Sequence, residues 1–332
     1  MATHYLYGTV LTSEAVAANN RGDNIGNTTT LQKVFHQDDV HTSVSAEAIR
    51  FALRYRFQLE GMRLNRTYDA AQGHLNYEDE KREKWNPRGD VFIDDDLMGF
   101  MDAAAAKKED EAVALEEAAT NEEQVATPAK GAKKSKVKGK SATRRISPLA
   151  IGRAVSLRPY RGELSFNAVS GKKEKGTLSL YNAEMHTTEY QYSFGVNLDD
   201  VINKANIGHL IDAIVDPPQV AGNHARFAYD FSPASIVLRV TNAHSSKIQN
   251  CFEHDETSRS YTVEKLIQRI ESTDIPADEL IVGGELTETP EGDALQKLGV
   301  TVFPGVKAAA EEARRRIAAR GAEFAGVSNI GG

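Results

Sequence analysis

The sequence predicts an α+β fold, a ferredoxin-like sheet interrupted by a large insertion. Strand, helix, strands, helix and strand follow one another in that order, as a sheet with helices on one side requires. Residues 102–143 hold almost no large apolar side chains, which marks the insertion. At 332 residues the chain can bury one large core or two modest ones.

Residues 5–11 (YLYGTVL) are β-branched and aromatic and predict the first strand. Residues 19–39, rich in Asn, Gly, Thr and Asp, read as a long loop. Ser43-Val44-Ser45-Ala46-Glu47 has a serine cap and an acid in the first turn, so a helix starts there. Ile49, Ala52, Leu53 and Phe57 share one side of it; Arg50 and Arg54, four apart, form a positive stripe on the other. From 60 to 100 the pattern is irregular, with a charged run at 78–84. Residues 102–143 read as disordered or an extended arm, acidic first, then basic with Lys130, Lys133, Lys134, Lys136, Lys138 and Lys140.

Order resumes at Ile146-Ser147-Pro148-Leu149. Residues 163–169 and 176–181 predict a hairpin with a basic tip, SGKKEKG. Residues 189–198 alternate as a half-buried strand does. Asp199 or Asp200 then caps a helix carrying Val201, Ile207, Leu210, Ile211 and Ile214. A turn at 222–226, a strand at 236–240, a helix at 262–271, a strand at 280–283 and a helix at 306–320 complete the order. No internal repeat is evident.

The formal net charge is -7 and the pI about 5.8, an average that argues against a simple nucleic-acid binder but hides local asymmetry. The lone Cys251 excludes an intrachain disulfide and a cysteine-based zinc site. No secretory signal or membrane span is predicted, so a soluble, cytoplasmic protein is expected. Asp94, Asp95 and Asp96 are consecutive and do not all face one ion on a helix or a strand. His36, Asp38, Asp39 and His41 come nearer to ligand spacing, but in a loop with no supporting shell. Neither a metal, a cofactor nor a nucleophile–base pair is therefore expected.

Five segments resemble the DevR-type family, whose members form the repeated backbone of type I CRISPR Cascade complexes. They are 21–33 (RGDNIGNTTTLQK), 43–54 (SVSAEAIRFALR), 94–101 (DDDLMGFM), 145–149 (RISPL) and 221–227 (AGNHARF). The resemblance implies a type I-B subunit with an RRM-like palm, inserted helical fingers and a protruding β-hairpin thumb. On this chain the palm takes residues 1–59, 146–162 and 189–325, the fingers 60–145, the thumb 163–188 and a tail 326–332. Implied partners are the guide crRNA, the target DNA strand, other copies in a helical filament, and the 5′-handle cap, large and small Cascade subunits, with no membrane.

Holding a guide by its backbone needs cations and polar donors, since base pairing reads the sequence. Arg21, Lys33, Arg50 and Arg54 offer charge, and Ser43 and Ser45 with helix N-terminal amides offer a phosphate seat. Asn27 and Thr28 offer uncharged donors, and Asn223, His224 and Arg226 a turn that approaches RNA. The plainer reading makes the arginines solvated helix residues and the serines a cap. Lys172, Lys173, Lys175, Met185 and His186 fall on the thumb. Related type III subunits cut target RNA with an acid before the first helix; residues 26–31 (GNTTTL) lack one, though Asp23 and Asp38 flank them. A non-catalytic subunit is expected, with RNA cleavage or transcriptional autoregulation as the alternatives.

Overall fold

The computed structural model describes residues 3–18, 21–36, 38–101, 144–168, 180–222, 228–255 and 260–320. The expected disordered arm at 102–143 lies outside them. The core is a nine-stranded sheet built from β1 (Tyr5–Thr12), β2 (Lys33–His36), β3 (Asp39–Val44), β4 (Leu149–Ile151), β5 (Ala154–Ser156), β6 (Tyr190–Asn197), β7 (Pro233–Thr241), β8 (Leu280–Gly284) and β9 (Thr301–Phe303). Its order is β9-β8-β7-β1-β6-β5-β3-β2, with β4 also paired to β6. β1 lies between β6 and β7, antiparallel to both. The protein is thus a mixed α/β structure.

Six α-helices are described: α1 (Ala46–Leu59), α2 (Ile93–Met98), α3 (Ala205–Val215), α4 (Glu264–Glu271), α5 (Pro290–Lys297) and α6 (Val306–Ala319). Alternation along the strands divides the core in two. Leu6, Val10, Ile236, Leu238 and Val240 pack with the apolar stripes of α1, α3 and α6. Leu11, Val237, Leu280 and Val282 face the other way, toward Cys251, Phe252, Leu266, Ile270 and Leu295. A period of two in a central strand therefore feeds two separate apolar layers.

Helix α1 forms where its sequence predicts. Ser45 is its N-cap, accepting from the Ala48 amide at 3.2 Å, and Ile49, Ala52, Leu53 and Phe57 are its buried residues. It ends at Gly61 (φ +70°), where the Gly61 amide donates to Gln58 O and the Met62 amide to Phe57 O.

Residues 19–39 are not a long loop. They carry Arg21–Ile25 and Thr28–Leu31, an antiparallel pair turned by Gly26 (φ +59°) and Asn27, and then β2. The β-branched Thr28–Leu31 run and the Gly-Asn turn outweigh the polar composition. Thr28–Leu31 joins Leu180–Thr188, so the hairpin of Glu163–Ala168 with Leu180–Thr188 belongs to a five-stranded sheet that also includes Ala15–Ala17. The second hairpin strand runs to Thr188, well past the expected end at 181.

Asp199 and Asp200 do not cap α3. Asp199 accepts from the His4 amide (2.8 Å) and Asp200 from Asn197 Nδ2 (2.7 Å). The segment entering α3 is held instead by Asp96, which accepts from the Ile202 and Asn203 amides at 2.9 and 3.1 Å and from Asn206 Nδ2 at 2.9 Å. Asp96 also takes the Arg145 guanidinium at 2.7 Å. Its neighbours point elsewhere: Asp94 to the Asn65 and Arg66 amides and Arg54, Asp95 to Asn65 and Arg82. All three carboxylates are fully buried; Asp94 and Asp95 share Asn65, while Asp96 alone ties Arg145 and the entry of α3 to α2.

Candidate nucleic-acid interface

Of the residues predicted to touch nucleic acid, Lys33, Ser43, Ser45, Arg50 and Arg54 lie on or beside β2, β3 and α1, and several of them are engaged inside the protein. Arg54 is only 13 % exposed, lies 3.5 Å from Asp94 and donates to Met98 Sδ; burial pushes its pKa down to about 10. Arg50 is half-buried and donates to Leu149 O at 2.7 Å and Ser147 Oγ at 3.4 Å, with its pKa lowered by burial. The expected solvent-facing stripe is therefore corrected. The two arginines close α1 onto α2 and β4, because Asp94 of α2 and the Leu149 carbonyl of β4 lie beside that side of the helix.

Lys33 bonds Glu184 at 2.5 Å and lies 4.7 Å from the Tyr160 ring centroid. Ser45 is occupied as the α1 cap, and Ser43 is buried in β3. Asn27 is exposed and Thr28 half-exposed at the turn of the second sheet, away from this junction. Met185 is half-buried opposite Glu163. His186 is 3 % exposed, its Nδ1 2.8 Å from Thr42 Oγ1, and burial lowers its pKa to about 4. It is a core residue where the hairpin meets the main sheet, which corrects its placement on a protruding surface. Asn223, His224, Arg226, Lys172, Lys173 and Lys175, and the Arg21 side chain, lie outside the described residues.

Sequence reasoning missed Arg153. Between the pairs Ile151–Phe194 and Val155–Gln191, three residues (Gly152, Arg153, Ala154) face two (Ser193, Tyr192). This is a β-bulge, and bulges re-aim side chains. Arg153 is exposed, and its Nη1 donates to Ser43 Oγ at 3.2 Å and Gln32 Oε1 at 3.5 Å. Both partners are neutral, so its charge is uncompensated by any ion pair among the described residues. The signal was present as a Gly-Arg pair breaking the apolar run Leu149 to Leu157.

Arg153 thus brings a cation with neutral partners to a rim beside the N-terminus of α1, where the helix dipole adds positive potential. Glu47, exposed on the first turn, partly offsets Arg50. Such a rim suits a phosphate, with a guanidinium and hydroxyls for its oxygens.

Residues 9–272 match the family model described as CRISPR-associated negative auto-regulator DevR/Csa2. The chain belongs to the DevR/Csa2 family. A curated relative from Myxococcus xanthus (strain DK1622), "CRISPR-associated protein Cas7/Cst2/DevR", is 35 % identical over 325 residues, 95 % of this chain and 98 % of that protein. The fold of this DevR/Csa2 member is similar to that of a chain from a solved "CRISPR RNA-guided surveillance complex, pre-nicking", with a TM-score of 0.55, 14 % identity, and coverage of 93 % and 100 % of the two chains. A chain from a second "CRISPR RNA-guided surveillance complex" gives 0.54 at 13 %, over 93 % and 99 %. Among the described residues no helix is long and apolar enough to cross a membrane.

Proposed function

We propose that this chain is the repeated, non-catalytic backbone subunit of a type I-B surveillance complex. Copies line a guide crRNA, hold its sugar-phosphate backbone and leave its bases free to pair with target DNA. The observation that carries the reading is the exposed Arg153 at the β3–α1 rim, with only neutral partners, in a family whose solved look-alikes are RNA-guided complexes. In this reading the main sheet with α1 and α3 is the RRM-like palm, residues 60–145 are the fingers and 163–188 the thumb.

Backbone contacts position a strand without reading it, so a subunit repeated along any guide needs this kind of site. Residues 26–31 supply no carboxylate to hold a catalytic metal, which favours binding over cleavage. Partners in the assembly are further copies of the chain and the cap, large and small subunits. Co-purification with the products of neighbouring genes, followed by sequencing of bound RNA, tests the reading. Guide-length RNA carrying repeat-derived ends is expected; a preparation holding no RNA, or one that cuts complementary RNA with divalent metal, contradicts it.

A further inference from the structure

The sheet face turned away from α1, α3 and α6 is covered unevenly. Over β7 and β8 it is closed by α4, α5 and the chain leading to them. Over β1, β6 and the bulge the cover is the turn at 243–249, and a cleft of about 480 Å³ lies beneath it. That is within the roughly 300–1,000 Å³ of small-ligand sites.

The cleft is built around one fixed aromatic wall. Gly195 stands opposite Tyr7, and a Cβ there would lie 2.9 Å from the Tyr7 ring. The ring therefore lies across bare backbone, as aromatic side chains do over cross-strand glycines. The Tyr7 hydroxyl donates to His244 O at 2.8 Å, and the Tyr5 hydroxyl is 2.8 Å from His244 Nδ1. The Tyr5 ring stacks on that of Tyr7, with centroids 5.5 Å apart and planes 11° from parallel. The wall is thus pinned before any ligand arrives, which lowers the ordering cost of binding.

The rest of the lining is apolar or neutral polar. Ile151 supplies the apolar side, while Ser245 and Gln249 supply polar groups whose side chains make no hydrogen bond among the described residues. Among the described residues no carboxylate, ammonium or guanidinium lines it. A phosphate finds no counter-charge inside. A planar, uncharged heteroaromatic ring finds a stacking wall, an apolar side and edge partners. Gly152 lines the cleft and the next residue is Arg153 at the rim.

We propose that this cleft seats one unpaired nucleobase of a single-stranded RNA whose adjoining phosphate sits at Arg153. The proposal rests on the reading that the Arg153 rim binds RNA backbone, and it adds a base contact to a subunit otherwise blind to bases. Stacking is sequence-tolerant because every base has a π-face, so the contact suits any guide.

The test uses the full chain and a fluorescein-labelled oligouridylate, titrated across a salt series, beside an oligomer of the same length with abasic riboses. Tyr7→Ala removes the wall, and Ser245→Trp fills the cleft from its exposed rim. Each is expected to weaken oligouridylate binding about ten-fold, to leave the salt slope unchanged and to leave abasic binding as it was. Arg153→Ala is expected to lower the slope by about one and to weaken both oligomers. If the two cleft variants bind oligouridylate like the parent while Arg153→Ala does not, the cleft proposal falls and the backbone reading stands. If Arg153→Ala also changes nothing, the backbone reading falls and takes the cleft with it. Should Tyr7→Ala fail to fold, Ser245→Trp decides.

Discussion

Arg54 lies 3.5 Å from the buried Asp94 and is itself only 13 % exposed where α1 meets α2. A residue that helical spacing puts opposite the apolar stripe is in this way the link between the first helix and the insertion that follows it. Its Nε has no hydrogen-bond partner among the described atoms, so the pair is held by charge more than by geometry.

Arg54→Glu is therefore expected to unfold or severely destabilise the chain. It sets a carboxylate against the buried Asp94, and breaking a buried pair costs about 3–5 kcal/mol. Arg54→Met, which keeps the volume and removes the charge, is expected to cost less than Arg54→Glu. Urea unfolding with circular dichroism measures both. A folded Arg54→Glu protein of near-parental stability would contradict the placement.

Asp96→Ala is expected to separate the insertion from α3. It removes the acceptor of the Ile202 and Asn203 amides and leaves the Arg145 guanidinium, 15 % exposed, without its carboxylate. A loss of about 3–5 kcal/mol is expected from the orphaned charge and donors. Hydrogen exchange is expected to show α3 opening before α1. Uniform exchange across the two helices would contradict the tie.

His186 gives a pH dependence with a defined sign. Burial lowers its folded pKa to about 4 from the ordinary value of 6.5, so between these values the unfolded chain binds the extra proton. Stability is then full above about pH 6.5 and falls as pH drops toward 4, by roughly 3 kcal/mol across the window. His41, buried beside it and bonded to Ser156 O at 2.7 Å, is lowered in the same direction. Unfolding midpoints measured from pH 7.5 to 4.5 are expected to fall in the parent and to fall less in His186→Gln. Equal slopes in the two proteins would show that His186 is not the titrating group.

The parts legible in the sequence were those where one strong local signal agreed with the tertiary outcome. The β-branched and aromatic run of β1, the serine cap and apolar stripe of α1, and the apolar strand Ile236 to Val240 are of this kind. Residues 19–39 were misread because threonine and asparagine serve loops and exposed sheet edges alike, and strand pairing is settled by partners far along the chain. The entry to α3 escaped because its acid, Asp96, lies 106 positions before Ile202. The site was half legible for the same reason. Residue type placed cations near the first helix, but whether an arginine meets solvent or a buried aspartate depends on packing that spacing does not encode. Arg153 was hidden in an apolar run, and the bulge that turns it outward exists only once β4 and β5 pair with β6.

The central claim, that the rim beside α1 holds RNA backbone, is tested most directly by Arg153→Glu in the full chain expressed with its complex partners and a guide. Arg153 is exposed and unpaired with any acid among the described residues, so the variant is expected to fold like the parent. The measurement is RNA retained per protein after a moderate-salt wash, read from the ratio of absorbance at the nucleic-acid and protein maxima. A fall to a small fraction of the parental value, with the melting temperature unchanged, is the predicted result. Parental RNA retention in a folded Arg153→Glu protein would contradict the account.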